Sequence, residues 1–218
     1  MKRTGTALFI LILTVLLFSC DGYTVKKLDT SDTDLQQDGL YEQSPSYFAY
    51  DEAKDLYSFI VDPLSKKTGY TYWMDSGENT SSDFEGLRYK VKKKTGDENA
   101  SFGIIFFREE KNEKQSFELC LINTKGGYVA GRITDGNFAY ITENGESSAL
   151  YKGLNKDNII EVSFDKVKKE YAVSFNGVHA YSCFYDKEDF TGLYYGIAVV
   201  VPADDLHSES VVFERLSK

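Results

Sequence analysis

Apolar and polar side chains alternate along most of the chain beyond residue 69. Alternation of this kind places every second side chain on one face of a β-strand, so each run predicts a strand with one buried face. Glycine, asparagine, aspartate and lysine separate the runs, as expected of turns between antiparallel strands. The predicted strands cover residues 69–74, 84–93, 101–108, 116–123, 127–134, 137–142, 158–165, 170–176, 178–184, 193–201 and 210–216.

Two local patterns add detail to this strand prediction. Asn176-Gly177 separates two alternating runs, and both residues tolerate positive φ, which favours a type I′ hairpin turn. Before the strands, a helical spacing predicts one short helix ahead of Pro63, with apolar residues at Ala53, Leu56, Tyr57 and Ile60. The pattern as a whole indicates an all-β domain of about 170 residues.

Four stretches in the second half resemble one known family: "NIIEVSFD" (158–165), "YAVSFNGVHAYSCF" (171–184), "TGLYYGIAVVV" (191–201) and "SVVFERL" (210–216). An asparagine opens a strand, Asn-Gly closes a hairpin, a glycine precedes an aromatic strand, and the last strand fits a V-x-F pattern. In this the chain is similar to concanavalin A-like, or laminin G-like, jelly-roll domains. The resemblance implies a two-sheet antiparallel sandwich with one sheet curved enough to cradle a ligand.

Another β-sandwich, such as an immunoglobulin-like domain, is the alternative fold. In that fold a core tryptophan lies between two cysteines in sequence. Here Trp73 precedes both Cys120 and Cys183, so the jelly roll is favoured. These two cysteines could form a disulfide or remain small core residues, and we favour unpaired thiols.

The N-terminal segment has the features of a targeting sequence. Lys2 and Arg3 precede an apolar block from residue 7 to residue 18, which has the length of a signal-peptide core. The four residues 17–20, Leu-Phe-Ser-Cys, resemble the lipobox of bacterial lipoproteins, which implies lipidation of Cys20. An ordinary secretory leader and an uncleaved anchor helix are the alternatives.

These features divide the chain into three parts. Residues 1–19 are the predicted lipoprotein signal peptide, and residues 20–46, which are polar and lack an apolar period, are a predicted tether from the lipidated cysteine. Residues 47–218 form the predicted β-sandwich domain. We therefore expect attachment to a membrane through an N-terminal lipid, in the cell envelope of a bacterium.

The charge of the chain argues against nucleic acid as a partner. The full chain has a net charge of −9, and removal of residues 1–19 leaves 23 basic residues against 34 acidic ones, a net charge of −11. A surface that binds phosphate needs concentrated lysine and arginine. The lysines that do cluster, at residues 90 and 92–94, lie beside acids and turns, so we predict a solvated strand end there.

The sequence contains no motif for catalysis, a metal or a cofactor. Glycoside hydrolases of the concanavalin A-like superfamily carry a Glu-x-Asp-x-x-Glu string on one strand, and this string is absent. The only histidines, His179 and His207, have no partner at a metal-ligand spacing. We therefore predict no catalytic residue, no metal and no cofactor, and we expect a protein that is not an enzyme.

Binding is the predicted function, and the polar positions of the central strands are the candidate site. Arg108, Glu118, Tyr128 and Arg132 lie on three predicted strands, and if their parities align they form a polar and aromatic patch suited to a glycan or a peptide. Trp73 is a fifth candidate. The alternative is an ordinary wet sheet face with ion pairs, in which Trp73 belongs to the core.

Three functions follow from these observations. The first is a non-catalytic envelope binding module that recognises carbohydrate or a protein partner. The second is a glycan-processing enzyme of the glycoside hydrolase type. The third is an architectural envelope lipoprotein without a small ligand.

Overall fold

The computed structural model describes residues 23–27, 46–61, 70–80, 84–111, 114–135, 137–185, 191–201 and 207–216. Within these ranges a single 3₁₀ turn, Glu52–Lys54, lies among the strands. No helix in these ranges is long and apolar enough to cross a membrane. The strands are β1 (Tyr23–Lys27), β2 (Ser46–Asp51), β3 (Leu56–Val61), β4 (Tyr70–Asn79), β5 (Gly86–Thr95), β6 (Ser101–Lys111), β7 (Lys114–Ile122), β8 (Gly127–Thr134), β9 (Asn137–Glu146), β10 (Asn158–Asp165), β11 (Glu170–Phe175), β12 (Val178–Phe184), β13 (Tyr194–Val201) and β14 (Glu209–Arg215).

These strands form two antiparallel sheets, which confirms the predicted all-β sandwich. The eight-stranded sheet has the order β1-β2-β3-β14-β5-β10-β11-β12, and the six-stranded sheet has the order β4-β13-β6-β7-β8-β9. Strands that are neighbours in sequence often lie in different sheets, as β13 and β14 do, so the chain crosses repeatedly between the two layers.

The main hydrophobic core lies between the two sheets. Alternate residues of β5, β10 and β11 are buried, as the period of two predicts. They meet aromatic and aliphatic side chains from β6, β7 and β13. The largest fully buried apolar side chains are Tyr89, Tyr171, Phe106, Phe107, Phe175, Phe213, Ile104 and Ile122.

The predicted hairpin turn is present and joins a network of asparagine side chains. Asn176 and Gly177 have φ values of 50° and 82°, as a type I′ turn requires. The Asn176 Nδ2 group donates hydrogen bonds to the carbonyl of Ala149 (2.6 Å) and to Oδ1 of Asn158 (2.8 Å). Asn158 in turn donates to the carbonyl of Tyr151 at 3.0 Å. The turn therefore anchors the long connection between β9 and β10.

The predicted helix before the sandwich is wrong except for one turn. Only Glu52–Lys54 is helical, and the residue after this 3₁₀ turn, Asp55, has a φ of 47°. Residues 56–61, Leu-Tyr-Ser-Phe-Ile-Val, form β3 and pair with β14. Aromatic and β-branched side chains favour a strand, and pairing with β14 on one side and β2 on the other satisfies the backbone hydrogen bonds of this stretch.

Part of the predicted tether also belongs to the sheet. Tyr23–Lys27 is a strand, β1, which pairs with β2. The first strand after it begins at Ser46, within the predicted tether by one residue. Backbone pairing with an edge strand requires no apolar period, so the polar composition of this stretch did not reveal it. Cys20 and the predicted signal peptide lie outside the described residues.

One lysine of the predicted solvated strand end is buried instead. Lys93 is 1% exposed, and its Nζ lies 2.6 Å from Oε2 of Glu209. It also donates hydrogen bonds to the carbonyls of Asp97 and Ala100. Glu209 Oε1 accepts a hydrogen bond from the backbone N–H of Asp97 at 2.5 Å. The turn between β5 and β6 therefore closes over an ion pair that joins β5 to β14.

Candidate functional site

Glu118 and Arg132 lie directly opposite each other on β7 and β8. Glu118 also lies opposite Phe106 of β6, which is fully buried in the core between the sheets. The polar parity of these strands therefore faces inward. This is the reverse of the wet sheet face that the sequence suggested as an alternative.

The outward parity of β7 carries apolar side chains instead. Phe117, Leu119 and Leu121 lie on the face of the six-stranded sheet that points away from the main core. They belong to a second apolar cluster, separate from the core between the sheets. Its buried members are Ile105, Phe117, Leu119, Leu121, Ile133 and Ala198.

Glu118 is buried because every part of its carboxylate has a partner. It is 1% exposed, its Oε1 accepts a hydrogen bond from Nε of Arg132, and its Oε2 accepts one from the Tyr171 hydroxyl at 2.8 Å. Burial raises the pKa of Glu118, although the hydrogen bonds from Arg132 and Tyr171 and the positive charge of Arg132 oppose this rise. The pKa of Tyr171 is raised by its burial and by the charge of Glu118.

The Arg132 guanidinium connects the two sheets. Its Nη2 donates a hydrogen bond to the backbone carbonyl of Phe184 at 3.0 Å and lies 3.6 Å from the Cys183 sulfur, both on β12. Its Cζ lies 6.0 Å from the centre of the Tyr185 ring. Burial lowers the pKa of Arg132, but the hydrogen bond and charge of Glu118 outweigh it and raise the pKa overall. The side chain stays 36% exposed.

Arg132 and Glu118 line a cavity of about 250 Å³ at one end of the sandwich. Pockets for drug-sized ligands measure roughly 300–1,000 Å³, so this one holds a smaller group. Its wall is part apolar and part polar, and it includes two carboxylates and one guanidinium. The lining residues are Phe107, Glu109, Ser116, Phe117, Glu118, Arg132, Ile133, Thr134 and Tyr185.

A β-bulge in β6 shapes this cavity. The register shifts by one residue between Phe106 and Glu109, so that Phe106 and Phe107 both enter the main core. Phe107 has a φ of 58°, a left-handed conformation that is uncommon for a bulky residue and that recurs at functional sites. Its ring centre lies 4.5 Å from that of Tyr185.

The charges of Glu118, Glu109 and Arg132 all affect the pKa of the Tyr185 hydroxyl. Burial raises the pKa of Tyr185, the charges of Glu118 and Glu109 raise it further, and the charge of Arg132 opposes them. Glu109 lies opposite Ser116 on β7, two residues before Glu118, so both carboxylates occupy the same side of the sheet.

The other predicted site residues lie elsewhere. Arg108 is nearly buried, and its Cζ lies 5.9 Å from the ring centre of Tyr194. Tyr128 faces the main core, where its ring packs against Phe175 at 5.1 Å and stacks on Tyr181 at 6.0 Å. The backbone of Trp73 pairs with Ala198, but its side chain lies outside what the structure describes. Among the predicted residues whose side chains the structure describes, it therefore brings together Glu118 and Arg132.

Sequence reasoning missed Glu109, Tyr171 and Tyr185 as neighbours of this pair. Tyr171 lies on β11 of the opposite sheet, and Tyr185 follows β12, so neither is near Glu118 in sequence. Only the stacking of the sheets brings them to it. The tyrosine at the start of "EYAVSF" belongs to the buried parity of a strand, which indicates burial but not a hydroxyl partner.

The two cysteines of the sandwich are free thiols. Cys120 is fully buried, and burial raises its pKa to about 12. Cys183 is half-buried beside Arg132. Within the described ranges, no three His, Cys, Asp or Glu side chains are placed to hold a metal ion.

Comparison with solved structures shows which proteins share this fold. A family 16 glycoside hydrolase of the mixed-linkage glucan locus of Bacteroides ovatus, in complex with its product, is 8% identical, with 91% of this chain and 96% of that chain covered and a TM-score of 0.55. A family 7 alginate lyase, A1-II′, also in complex with product, is 12% identical, with 81% and 83% covered and a TM-score of 0.50.

A carbohydrate-binding module, CBM66 of Bacillus subtilis, is 9% identical over 85% of this chain and 94% of that chain, with a TM-score of 0.49. No protein-family model matches the chain. No curated protein matches it either. At such identities the similarity to the glycoside hydrolase shows the fold alone, which is a two-sheet jelly-roll sandwich, as the resemblance in sequence predicted.

Proposed function

We propose that this chain is a carbohydrate-binding protein and that the cavity around Arg132 holds the sugar. The observation that carries the proposal is a partly exposed Arg132 side chain, held in one orientation by the buried carboxylate of Glu118, in a cavity with aromatic walls. A solved family 16 glycoside hydrolase with this fold is in complex with its product. Function does not follow from fold, and it is the lining of the cavity that supports carbohydrate binding.

The cavity has the mixed character that a sugar requires. A sugar ring presents C–H groups on its faces and hydroxyls at its rim, so it needs apolar contact and directional hydrogen bonds together. Phe107 and Tyr185 provide the apolar contact. Arg132 provides N–H donors, and the hydroxyls of Ser116 and Thr134 line the same space.

We propose binding without catalysis. Hydrolysis of a glycosidic bond by the common mechanism needs two carboxyl groups that flank that bond, one of them free to give a proton. Glu118 is held by Arg132 and Tyr171 and is 1% exposed. A carboxylate with both oxygens occupied by protein donors is suited to orienting Arg132 rather than to proton transfer.

One observation favours an enzyme as the second candidate function. Burial raises the pKa of Glu118, as it does in many catalytic acids, and Glu109 lines the same cavity. Incubation of the full chain with β-glucans and measurement of new reducing ends tests this candidate. Release of reducing ends that Glu118→Gln abolishes would establish it.

The proposed localisation follows from the N-terminal sequence. We propose an envelope protein of a bacterium, attached to the membrane by a lipid on Cys20, with the sandwich displayed to a glycan or an envelope protein. Metabolic labelling with a palmitate analogue tests the anchor, with Cys20→Ala as the control. If the chain instead has an architectural role, we expect cross-linking in cells to identify protein partners and a glycan array to show no binding.

A glycan array with the full chain tests the binding function. We expect binding by the natural chain and at least a tenfold loss in Arg132→Lys, since lysine keeps the positive charge beside Glu118 but lacks the planar set of donors. Arg88→Lys is the matched control, because Arg88 pairs with Glu161 at 3.7 Å and does not line the cavity. Silence of the folded natural chain across the array would contradict the proposal.

A further inference from the structure

We infer that the cavity selects an uncharged sugar over an acidic one and that Glu109 enforces this choice. The inference rests on the proposed function, since it names the chemical class of the ligand. It follows from the charges that line the cavity and from the way Arg132 is held.

The positive charge of Arg132 is already matched inside the protein. Its Nε donates to Oε1 of Glu118, and that carboxylate is 1% exposed. A ligand carboxylate could bind only the outer edge of the Arg132 guanidinium. It would then compete for that one positive charge with the Glu118 carboxylate, which is buried and cannot move to solvent. Two like charges near one site raise the free energy of the ionised pair, so the gain from such a ligand is small.

Glu109 adds a second carboxylate to the same wall. It lies on the same side of the sheet as Glu118, and the cavity contacts both side chains. The two carboxylates and the guanidinium also act together on the Tyr185 hydroxyl, where the carboxylates oppose the guanidinium. An acidic sugar in the cavity therefore lies near two carboxylates, Glu109 and the buried Glu118, whereas a neutral sugar can donate a hydroxyl to Glu109.

The remaining lining suits a neutral sugar. Ser116 and Thr134 offer hydroxyls that both donate and accept, and Arg132 offers donors. Ser116 Oγ accepts a hydrogen bond from the backbone of Asp135 at 3.0 Å, which leaves its own O–H able to donate. A volume of about 250 Å³ holds a single sugar unit or a chain end rather than a long segment.

The test compares matched neutral and acidic sugars. The full chain is titrated with the oligosaccharides of the array and with three pairs that differ only in a CH₂OH or a carboxylate: the methyl glycosides of glucose and glucuronate, galactose and galacturonate, and mannose and mannuronate. We expect the tightest binder to be neutral and its acidic counterpart to bind at least tenfold more weakly.

Glu109→Gln should reduce several-fold the ratio of the dissociation constant of the acidic sugar to that of its neutral counterpart. The substitution keeps the size of the side chain and removes its charge. Glu143→Gln is the control, since Glu143 is exposed on β9 and does not line the cavity. A tightest binder that is acidic, or a ratio that Glu109→Gln leaves unchanged, overturns the inference while the proposed function stands. Absence of binding by every sugar overturns both.

Discussion

At the scale of single residues, the main finding is that two carboxylates, Glu118 and Glu209, are buried and each is paired with a cation. Glu118 and Arg132 join the two sheets near the cavity, and Lys93 and Glu209 join β5 to β14. A buried charge costs several kcal/mol unless it is paired and hydrogen-bonded, and both carboxylates satisfy this condition. Removal of one partner should therefore have a large effect.

The first prediction concerns the pH dependence of stability. The pKa of Glu118 is raised on folding above its ordinary value of 4.5, so the folded state holds the proton more tightly than the unfolded state. The contribution of this group to the free energy of unfolding is thus complete below pH 4.5 and decreases as the pH rises through the folded pKa.

Urea unfolding of the natural chain and of Glu118→Gln at several pH values measures this contribution. We expect the natural chain to lose stability relative to the variant as the pH rises from 4 upward, since glutamine does not titrate. A difference between the two proteins that stays constant with pH, or that grows in the opposite direction, would show that burial does not dominate at Glu118.

The second prediction concerns the buried lysine. Lys93→Met leaves the carboxylate of Glu209 buried without its cation, and we expect a loss of about 3–5 kcal/mol in the free energy of unfolding. Lys94→Met is the matched control, because Lys94 is exposed and its replacement should change stability by less than about 0.5 kcal/mol. Equal stabilities of the two variants in urea would show that Lys93 does not form a buried ion pair with Glu209.

At the scale of elements, the hairpin turn and its asparagine carry two separable effects. Asn176 supplies a left-handed backbone conformation and three side-chain hydrogen bonds, to Ala149, Asn158 and Ile159. Gly177 supplies only the conformation, since a Cβ there would meet open space. The turn therefore stabilises the β11–β12 hairpin by its conformation and the β9–β10 connection by its hydrogen bonds.

The third prediction separates these two effects. Asn176→Gly keeps the tolerance for positive φ but loses the hydrogen bonds, whereas Gly177→Ala adds about 1–2 kcal/mol of backbone strain and loses none. We expect Asn176→Gly to cost about 2–3 kcal/mol, since the buried partners lose their donors and acceptors. If thermal unfolding shows Asn176→Gly to be the milder variant, the network contributes little.

At the scale of the whole molecule, the two sheets form a single closed interior. Cys120 lies in that interior at 0% exposure, and Cys183 lies at its boundary on β12. Access of a reagent to Cys120 therefore requires the sheets to separate. This makes its thiol a reporter of global opening.

The fourth prediction is a difference in thiol reactivity. In native buffer iodoacetamide should modify Cys183 and leave Cys120 unmodified, because burial excludes the reagent and raises the Cys120 pKa to about 12. The rate at Cys120 should rise with urea in step with unfolding. Peptide mass spectrometry distinguishes the two sites, and equal labelling in native buffer would contradict a closed sandwich.

Much of the architecture was predictable because it depends on local pattern. The limits of β8, β10 and β12 match the predicted strands, and the Asn176-Gly177 turn has the predicted conformation. The strands β1, β2 and β3 were not predicted, since their place depends on pairing with an edge rather than on an apolar period. The buried state of Lys93 was equally hidden, because it depends on Glu209, which lies 116 residues further along the chain.

The sequence by itself determined the strands, their turns and the two parities of side chains, since alternation and turn chemistry act between neighbours in the chain. Which parity of β7 faces the core was decided only by tertiary structure. Tyr171 from the opposite sheet and Arg132 from the adjacent strand β8 satisfy the Glu118 carboxylate and make its burial tolerable. The cavity also depends on tertiary structure, because its lining comes from both sheets and from the bulge at Phe107.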